Sequence, residues 1–346
     1  MSLEEFLEEW NSDGPYVHVR TSGSTGEPKP MLVEKRRMLA SARITCDFLG
    51  LKEGDTALLC MSLDYIAGKM MVVRAIERGL KLEAVKPSGH PLAETNVCPV
   101  FAAMVPMQVY NSLQVPEERE RLKMIRHLII GGGAIDEALA KELKAFPNHV
   151  WSTYGMTETL SHIALRRLSG PEASEWYTPF PSVSISLNDE GCLVIDAPEV
   201  CEERLVTNDM AVIQRGQSSC VTFRILGRKD NVICSGGIKI QAEEVERLLR
   251  PHLCEPYLIS KRPDPKFGEA IVLLTEGDTA SAKDVCESVL QPYQRPKAYV
   301  SVSQIPLTET GKPARRQAEL LAKGETQRKD QPPCAEFICP TNRSSS

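Results

Sequence analysis

The sequence has no apolar run approaching a membrane span, no C-x-x-C pair, no excess of positive charge and no apolar leader flanked by basic residues. Each absence removes a class. A spanning helix needs about 20 predominantly apolar residues in a row, so no membrane span is expected. Met1 to Trp10 is rich in glutamate and reads as neither a secretory signal nor a transit peptide. A net charge of −5 gives no electrostatic reason to bind nucleic acid. The 11 cysteines are odd in number and scattered from Cys46 to Cys339, which offers no zinc or redox spacing. They read as reduced, mostly buried thiols of a cytoplasmic protein.

With 346 residues, 42% hydrophobic and 25% charged, the chain has room for a large domain and a smaller one, each with its own core. Capping-box spacing at Ser2-Leu3-Glu4-Glu5 predicts a short first helix. Tyr16 to Arg20 and Met31 to Val33 read as strands, and Lys35 to Phe48 as a helix. Thr56 to Met61, Ile66 to Arg78 and Leu82 to Val85 then read as strand, helix, strand. The pattern repeats with strands at Val100 to Val105 and Leu128 to Ile130, helices reaching Leu113 and spanning Ile135 to Phe146, and extended chain at His149 to Trp151. Alternation of this kind predicts an α/β fold with a largely parallel sheet covered by helices. Beyond about residue 180, short alternating strands such as Val183 to Leu187 and Cys192 to Asp196 predict an antiparallel, barrel-like subdomain. A small α+β unit follows, from a boundary near Arg228 to Asp230. The expected division is a large domain over 1–227, a small mobile domain over 228–324 and a disordered tail over 325–346.

Four stretches carry chemistry. Thr21-Ser22-Gly23-Ser24-Thr25-Gly26-Glu27-Pro28-Lys29 packs hydroxyls, glycines and a lysine after a strand, which suits a phosphate grip as well as it suits a plain polar loop. It lacks the G-x-x-x-x-G-K-[ST] spacing of a P-loop. Tyr154-Gly155-Met156-Thr157-Glu158-Thr159 follows a strand, where an aromatic could meet a base, a hydroxyl a phosphate and a carboxylate Mg2+; the alternative is a turn capping the next helix. Gly131-Gly132-Gly133-Ala134 brings bare backbone to a strand end, or merely turns the chain. Arg224 to Asn231, running into Gly236-Gly237, with Thr207-Asn208-Asp209 upstream and Gly311-Lys312 downstream, is either a solvated hinge or a junction whose mobile loop carries one cation to a site.

In this order the stretches resemble the superfamily of acyl- and aryl-CoA synthetases, adenylation domains and firefly-type luciferases, which activate carboxylates as acyl adenylates. The resemblance runs from residue 21 to residue 315 and implies ATP, Mg2+ and coenzyme A as co-substrates and metal. It implies that Thr21, Ser22, Gly23, Ser24, Thr25, Gly26 and Lys29 hold the ATP phosphates and that Gly132, Gly133, Ala134, Tyr154 and Gly155 line the nucleotide site. Thr157 would meet the phosphate, Glu158 the magnesium, Asp209 and Arg228 the ribose. Asp230 would be the hinge, Gly236 and Gly237 would border the CoA tunnel, and Lys312 would be the adenylation lysine. The family's usual Thr-Gly-Asp stands here as Thr207-Asn208-Asp209.

Within that superfamily the chain resembles the o-succinylbenzoate-CoA ligases of menaquinone synthesis, some of which are short. The resemblance rests on Met61 to Lys69, with Tyr65 where histidine is common and Gly68 in place, and on Arg74. It implies an acyl pocket of Tyr65, Gly68, Arg74, Gly131, Ser161 and His162. Arg74 would grip a second carboxylate with its planar fork; the alternative for Arg74 is an exposed helix residue, and for His162 a structural histidine. The first motif begins at residue 21, so much of the family's usual front is expected to be supplied by a partner or not needed. Other readings are a ligase for another aryl or acyl acid, an adenylation enzyme loading a carrier protein, and a nucleotide-binding protein without catalysis. The implied partners are small molecules, with room for a homodimer.

Overall fold

The computed structural model describes residues 1–20, 30–93, 95, 98–133, 135, 137–216, 221–308 and 312–324. The expected phosphate loop at 21–29, Ala134, Gly311 and the tail at 325–346 therefore lie outside the described residues. Two compact units emerge. The first takes 1–232, 241–244 and 307–314; the second takes 233–240, 245–306 and the described residues from Arg315. The chain passes between them at Val232, a little beyond the expected Arg228 to Asp230. Arg228 stays with the first unit because it closes a strand ladder opposite Asp209.

In the first unit, helix α1 (Leu3–Asn11) starts at the expected capping box: Ser2 Oγ accepts from the Glu5 N–H (3.1 Å) and the Glu5 carboxylate from the Ser2 N–H (2.7 Å). Strands β1 (Tyr16–Arg20) and β2 (Pro30–Glu34) pair antiparallel from Tyr16 opposite Glu34 to Arg20 opposite Pro30. Helix α2 (Lys35–Leu49) buries Met38, Ser41, Ala42, Thr45, Cys46 and Leu49, a stripe at three-to-four spacing, and ends at Gly50 with φ 63°.

Strand β3 (Thr56–Leu59), helix α3 (Ile66–Arg78) and strand β4 (Lys81–Ala84) form a parallel crossover unit, with Thr56 opposite Lys81. Next come β5 (Phe101–Met104), α4 (Pro106–Gln114), α5 (Pro116–Met124), β6 (His127–Ile130), α6 (Glu137–Lys144), β7 (His149–Gly155), β8 (His162–Arg167) and β9 (Thr178–Pro179). The sheet order is β4-β3-β5-β6-β7-β8-β9. It is parallel through β7 and antiparallel from β8, which fits the expected largely parallel sheet. One core packs α1, α2 and α3 on the sheet face of Leu59, Ala103 and Ile129; a second packs α4 to α6 on the face of Leu58, Ala102 and Leu128.

The stretch expected to be barrel-like is a four-stranded antiparallel sheet in sequence order: β10 (Ser184–Leu187), β11 (Cys192–Asp196), β12 (Leu205–Arg215) and β13 (Val221–Arg228). After it come β14 (Val232–Ser235), β15 (Ile238–Gln241), α7 (Ala242–Leu249), β16 (Tyr257–Asp264), β17 (Gly268–Thr275), α8 (Thr279–Val289), β18 (Ala298–Ser301) and α9 (Arg315–Ala322). In the second unit β16 pairs antiparallel with β17 and β18 parallel with it. Arg315 holds both oxygens of Glu246 (2.7 and 2.8 Å) and also donates to the Ile259 carbonyl (2.8 Å), so this arginine ties α9 to the rest of its own unit.

Candidate functional site

Helix α3 decides what kind of chemistry its region can hold. Gly68 through Ala75 are buried without interruption, so the helix is enclosed on every side and any charge it carries must be met inside the protein. It carries two. Lys69 is met: its ammonium donates to the His18 carbonyl, stands 3.7 Å from Glu9 and lies over the Phe6 ring at 5.3 Å. Arg74 is only 2% exposed, and among the described residues no carboxylate pairs with it. Its Nη2 donates to Ser161 Oγ (2.6 Å), its Nη1 reaches only Met71 Sδ (3.9 Å), and its Nε is buried without a partner. Burial pulls its pKa down to about 10, still far above neutrality, so the cation persists. The alternative of an exposed helix residue is ruled out by this burial.

His162 is buried beside it. Its Nδ1 lies 3.2 Å from Ser161 Oγ, and its Nε2 lies 3.2 Å from Thr45 Oγ1, which itself donates to the Ser41 carbonyl (3.1 Å). Burial first and the nearby Arg74 second hold the imidazole well below the usual histidine range, so it is neutral. Thr45 has a place in this network that its sequence position gives only as one of a buried stripe. Tyr65 caps the N-terminal end of α3, and Gly68 is accounted for by packing: a Cβ there would stand 2.3 Å from the Ser62 carbonyl oxygen.

Strand β7 runs further than expected, so Tyr154 and Gly155 lie within it; only a 3-10 turn, Thr157–Thr159, follows before β8. There is no following helix for Thr157 to cap. Gly155 sits at a register shift between β7 and β8, and a Cβ on it would come within 2.3 Å of the Ser161 carbonyl oxygen and 2.5 Å of His162 Cα. Tyr154 donates to Asp209 Oδ2 (2.6 Å) and packs edge-on to Phe223 at 5.1 Å. Burial, and then the carboxylate of Asp209, push its phenol pKa up. Asp209 faces Arg228 across the β12–β13 ladder and accepts from its Nη1 at 3.3 Å; Arg228 Nη2 donates to Asp230 (3.2 Å).

Lys312, expected in the small domain, belongs to the first unit with the rest of 307–314. Its N–H donates to Thr308 Oγ1 (3.1 Å) and its carbonyl accepts from Thr308 N–H (2.7 Å), beside an antiparallel bridge of Leu307 to Pro313. Its ammonium feels Arg228 and Asp209: burial and the like charge of Arg228 lower its pKa, and Asp209 opposes them. Tyr154, Asp209, Arg228 and Lys312 thus share one neighbourhood.

Gly131 packs against Thr153, whose Oγ1 would be 2.4 Å from a Cβ, and Gly132 turns with φ 79°. In the second unit Gly236 and Gly237 form the turn between β14 and β15, with φ 58° and 81°. Thr157 is buried and Glu158 exposed. Among the described residues the Glu158 carboxylate makes no hydrogen bond or ion pair, and no cluster of three His, Cys, Asp or Glu could cage a metal. One free carboxylate, completed by substrate phosphates and water, is a donor set that suits Mg2+. Among the described residues no helix is long and apolar enough to cross a membrane.

The fold is that of adenylate-forming enzymes: residues 4–201 match the AMP-binding enzyme family, and the chain belongs to it. A solved acyl-CoA synthetase (AMP-forming)/AMP-acid ligase II-like protein from Dyadobacter fermentans is 32% identical, with a TM-score of 0.62 over 90% of this chain and 91% of that one. The 2-succinylbenzoate–CoA ligases of Haemophilus influenzae and Escherichia coli are 25% and 28% identical over 83% and 82% of this chain. The chain spans 65% and 63% of those two ligases' own length. O-succinylbenzoate coenzyme A synthetase from Bacillus subtilis, solved with ATP and magnesium ion, shares the fold at TM-score 0.72 and 21% identity, over 87% of this chain and 69% of that one.

Proposed function

We propose that the chain is an ATP- and Mg2+-dependent acid–CoA ligase of the cytoplasm that activates its acid as an acyl adenylate, and that the acid is o-succinylbenzoate. The observation that carries the choice of acid is Arg74, a buried cation for which the described residues supply no carboxylate. An enclosed guanidinium of this kind is strongly disfavoured unless an anion completes it. The second carboxylate of a dicarboxylic acid is such an anion, and the curated relatives named above are ligases for one.

The two acid groups would then do different work. Arg74 binds the spectator carboxylate and orients the molecule, while the reacting carboxylate attacks the α-phosphate of ATP. That attack brings two anions together, so positive charge must be in place before it happens. Mg2+, held by Glu158 and by the phosphates, supplies part of that charge when bound. Lys312 supplies the rest as a fixed ammonium, while Asp209 and Arg228 hold the ribose hydroxyls and Tyr154 the base. The Tyr154 hydroxyl keeps Asp209 Oδ2 engaged and so fixes which oxygen faces the nucleotide. Pyrophosphate leaves, and the CoA thiolate then displaces AMP from the acyl adenylate.

The direct test is acid-dependent exchange of labelled pyrophosphate into ATP. Exchange with o-succinylbenzoate is expected, and thioester should follow on adding CoA. Silence with every acid of a broad panel would refute the enzymatic reading; exchange with thioester forming only on a carrier protein would refute CoA as acceptor. Arg74→Ala should raise KM for o-succinylbenzoate about a hundredfold, the size of a lost charge-assisted hydrogen-bond pair. It should change KM little for 4-oxo-4-phenylbutanoate, which keeps the succinyl chain and lacks the ring carboxylate. An equal effect on both acids would remove Arg74 from the pocket.

A further inference from the structure

The side chains beside Arg74 can be ordered into one directed chain of hydrogen bonds. Arginine can only donate, so Ser161 Oγ accepts from Nη2 at 2.6 Å and its own proton is left for His162 Nδ1 at 3.2 Å. With Nδ1 an acceptor, the neutral ring carries its proton on Nε2 and donates it to Thr45 Oγ1 at 3.2 Å. Thr45 then passes its hydroxyl proton to the Ser41 carbonyl at 3.1 Å, one turn back on α2. From the opposite end the same direction follows from the Thr45 hydroxyl donating to the Ser41 carbonyl, which leaves Thr45 Oγ1 to accept from His162. The chain is directed at both ends, and each of its middle members both gives and receives.

We infer that Thr45 and His162 are positioning residues for acid recognition: the directed chain from Ser41 through Thr45, His162 and Ser161 fixes the rotation of the Arg74 guanidinium and leaves its Nε edge to a substrate carboxylate. The inference rests on the ligase reading above. Two-point recognition of a carboxylate requires the fork to be coplanar with it, which a freely rotating guanidinium does not guarantee. The other contact of the guanidinium, Nη1 to Met71 sulfur at 3.9 Å, is weak and sets no plane. Ser161 is therefore the firm hold among the described residues, and its acceptor lone pair stays aimed at Arg74 only while its proton has His162 as a destination. Neither Thr45 nor His162 touches Arg74 through a hydrogen bond, so their contribution is orientation.

Valine at position 45 keeps the shape of threonine and removes both the acceptor and the donor. His162 would lose the partner of its Nε2 proton, the opposite tautomer would become accessible, and Nδ1–H would then compete with Arg74 for Ser161 Oγ. Steady-state kinetics of Thr45→Val and Thr45→Ser with o-succinylbenzoate and with 4-oxo-4-phenylbutanoate test this. Thr45→Val should raise KM for the dicarboxylate about tenfold, the size of one hydrogen bond to a charged group. It should leave kcat, KM for the monocarboxylate and KM for ATP in place, and Thr45→Ser should restore the wild-type value. Ser161→Ala breaks the chain one step nearer Arg74 and should raise KM for the dicarboxylate at least as far, which keeps the test open if Thr45→Val fails to fold. The inference is overturned if Thr45→Val raises both KM values alike, if it changes neither, or if Thr45→Ser does not restore selectivity. Were Arg74→Ala to discriminate the two acids while the Thr45 variants did not, only the positioning role would fall; were Arg74→Ala itself not to discriminate, the dicarboxylate reading would fall with it.

Discussion

Alanine in place of Lys312 is expected to slow adenylate formation by about two to three orders of magnitude, the cost typical of removing one preorganised donor from a developing charge. Conversion of supplied acyl adenylate to thioester should be nearly unchanged, because the second attack falls on the acyl carbon and no longer on a charged phosphate. Single-turnover measurement of each half separately is the check, and equal loss in both would reject the assignment. The expectation comes from where the ammonium lies: it is half-buried, with Arg228 and Asp209 as its charged surroundings. Burial and Arg228 lower its pKa, and it must be protonated to act. Adenylate formation should therefore decline as pH rises, beginning below the ordinary lysine range, and the decline should be absent from the thioester step.

Alanine at Gly155 should be nearly as damaging, for a steric reason. The new Cβ would meet backbone, the Ser161 carbonyl oxygen at 2.3 Å and His162 Cα at 2.5 Å, and backbone yields only by parting the two strands. Overpacking of this kind typically costs about 1–3 kcal/mol. For a chain of this size that lowers Tm by roughly 1–4 °C. The strands part where Ser161 and His162 lie, so pyrophosphate exchange should fall further than the loss of folded protein explains. Thermal melting and exchange measured side by side decide it, with Gly14→Ala as the tolerated comparison, since its Cβ would approach nothing nearer than Ser12 Oγ at 3.9 Å. A Gly155→Ala protein with wild-type melting and exchange would show that the contact relaxes freely.

Most of the fold was legible because its elements are local. The Ser2 capping box and the alternation of apolar runs each act over a few residues, and the helices and strands they imply lie close to where they were expected. Helix α5 left little trace: only Glu118 and Leu122 are buried along it, so it has no apolar stripe. The site was legible in part. Tyr154, Gly155, Asp209, Arg228 and Lys312 carry motifs, but the bond from Tyr154 to Asp209 joins residues from different sheets, and no local pattern announces it. The burial of Arg74 did have a signal. Met70-Met71-Val72-Val73 is apolar on every face of a helix, which a partly exposed helix does not afford. Thr45 stood in the buried stripe of α2, yet its link to His162 depends on how β8 lies against that helix, and spacing along one helix cannot reveal it.

The way β7 and β8 are joined carries one more consequence. Parallel strands need a long crossover, but here the chain turns straight back through 156–161, so the end of one strand and the start of the next lie at the same edge of the sheet. Tyr154, bonded to Asp209, and His162, close to Arg74, are separated by one short turn. An insertion or deletion in that turn would change the register of β8 and carry Ser161 away from Arg74. Across natural variants of this protein, the length of 156–161 should be as constant as the identity of the residues that flank it.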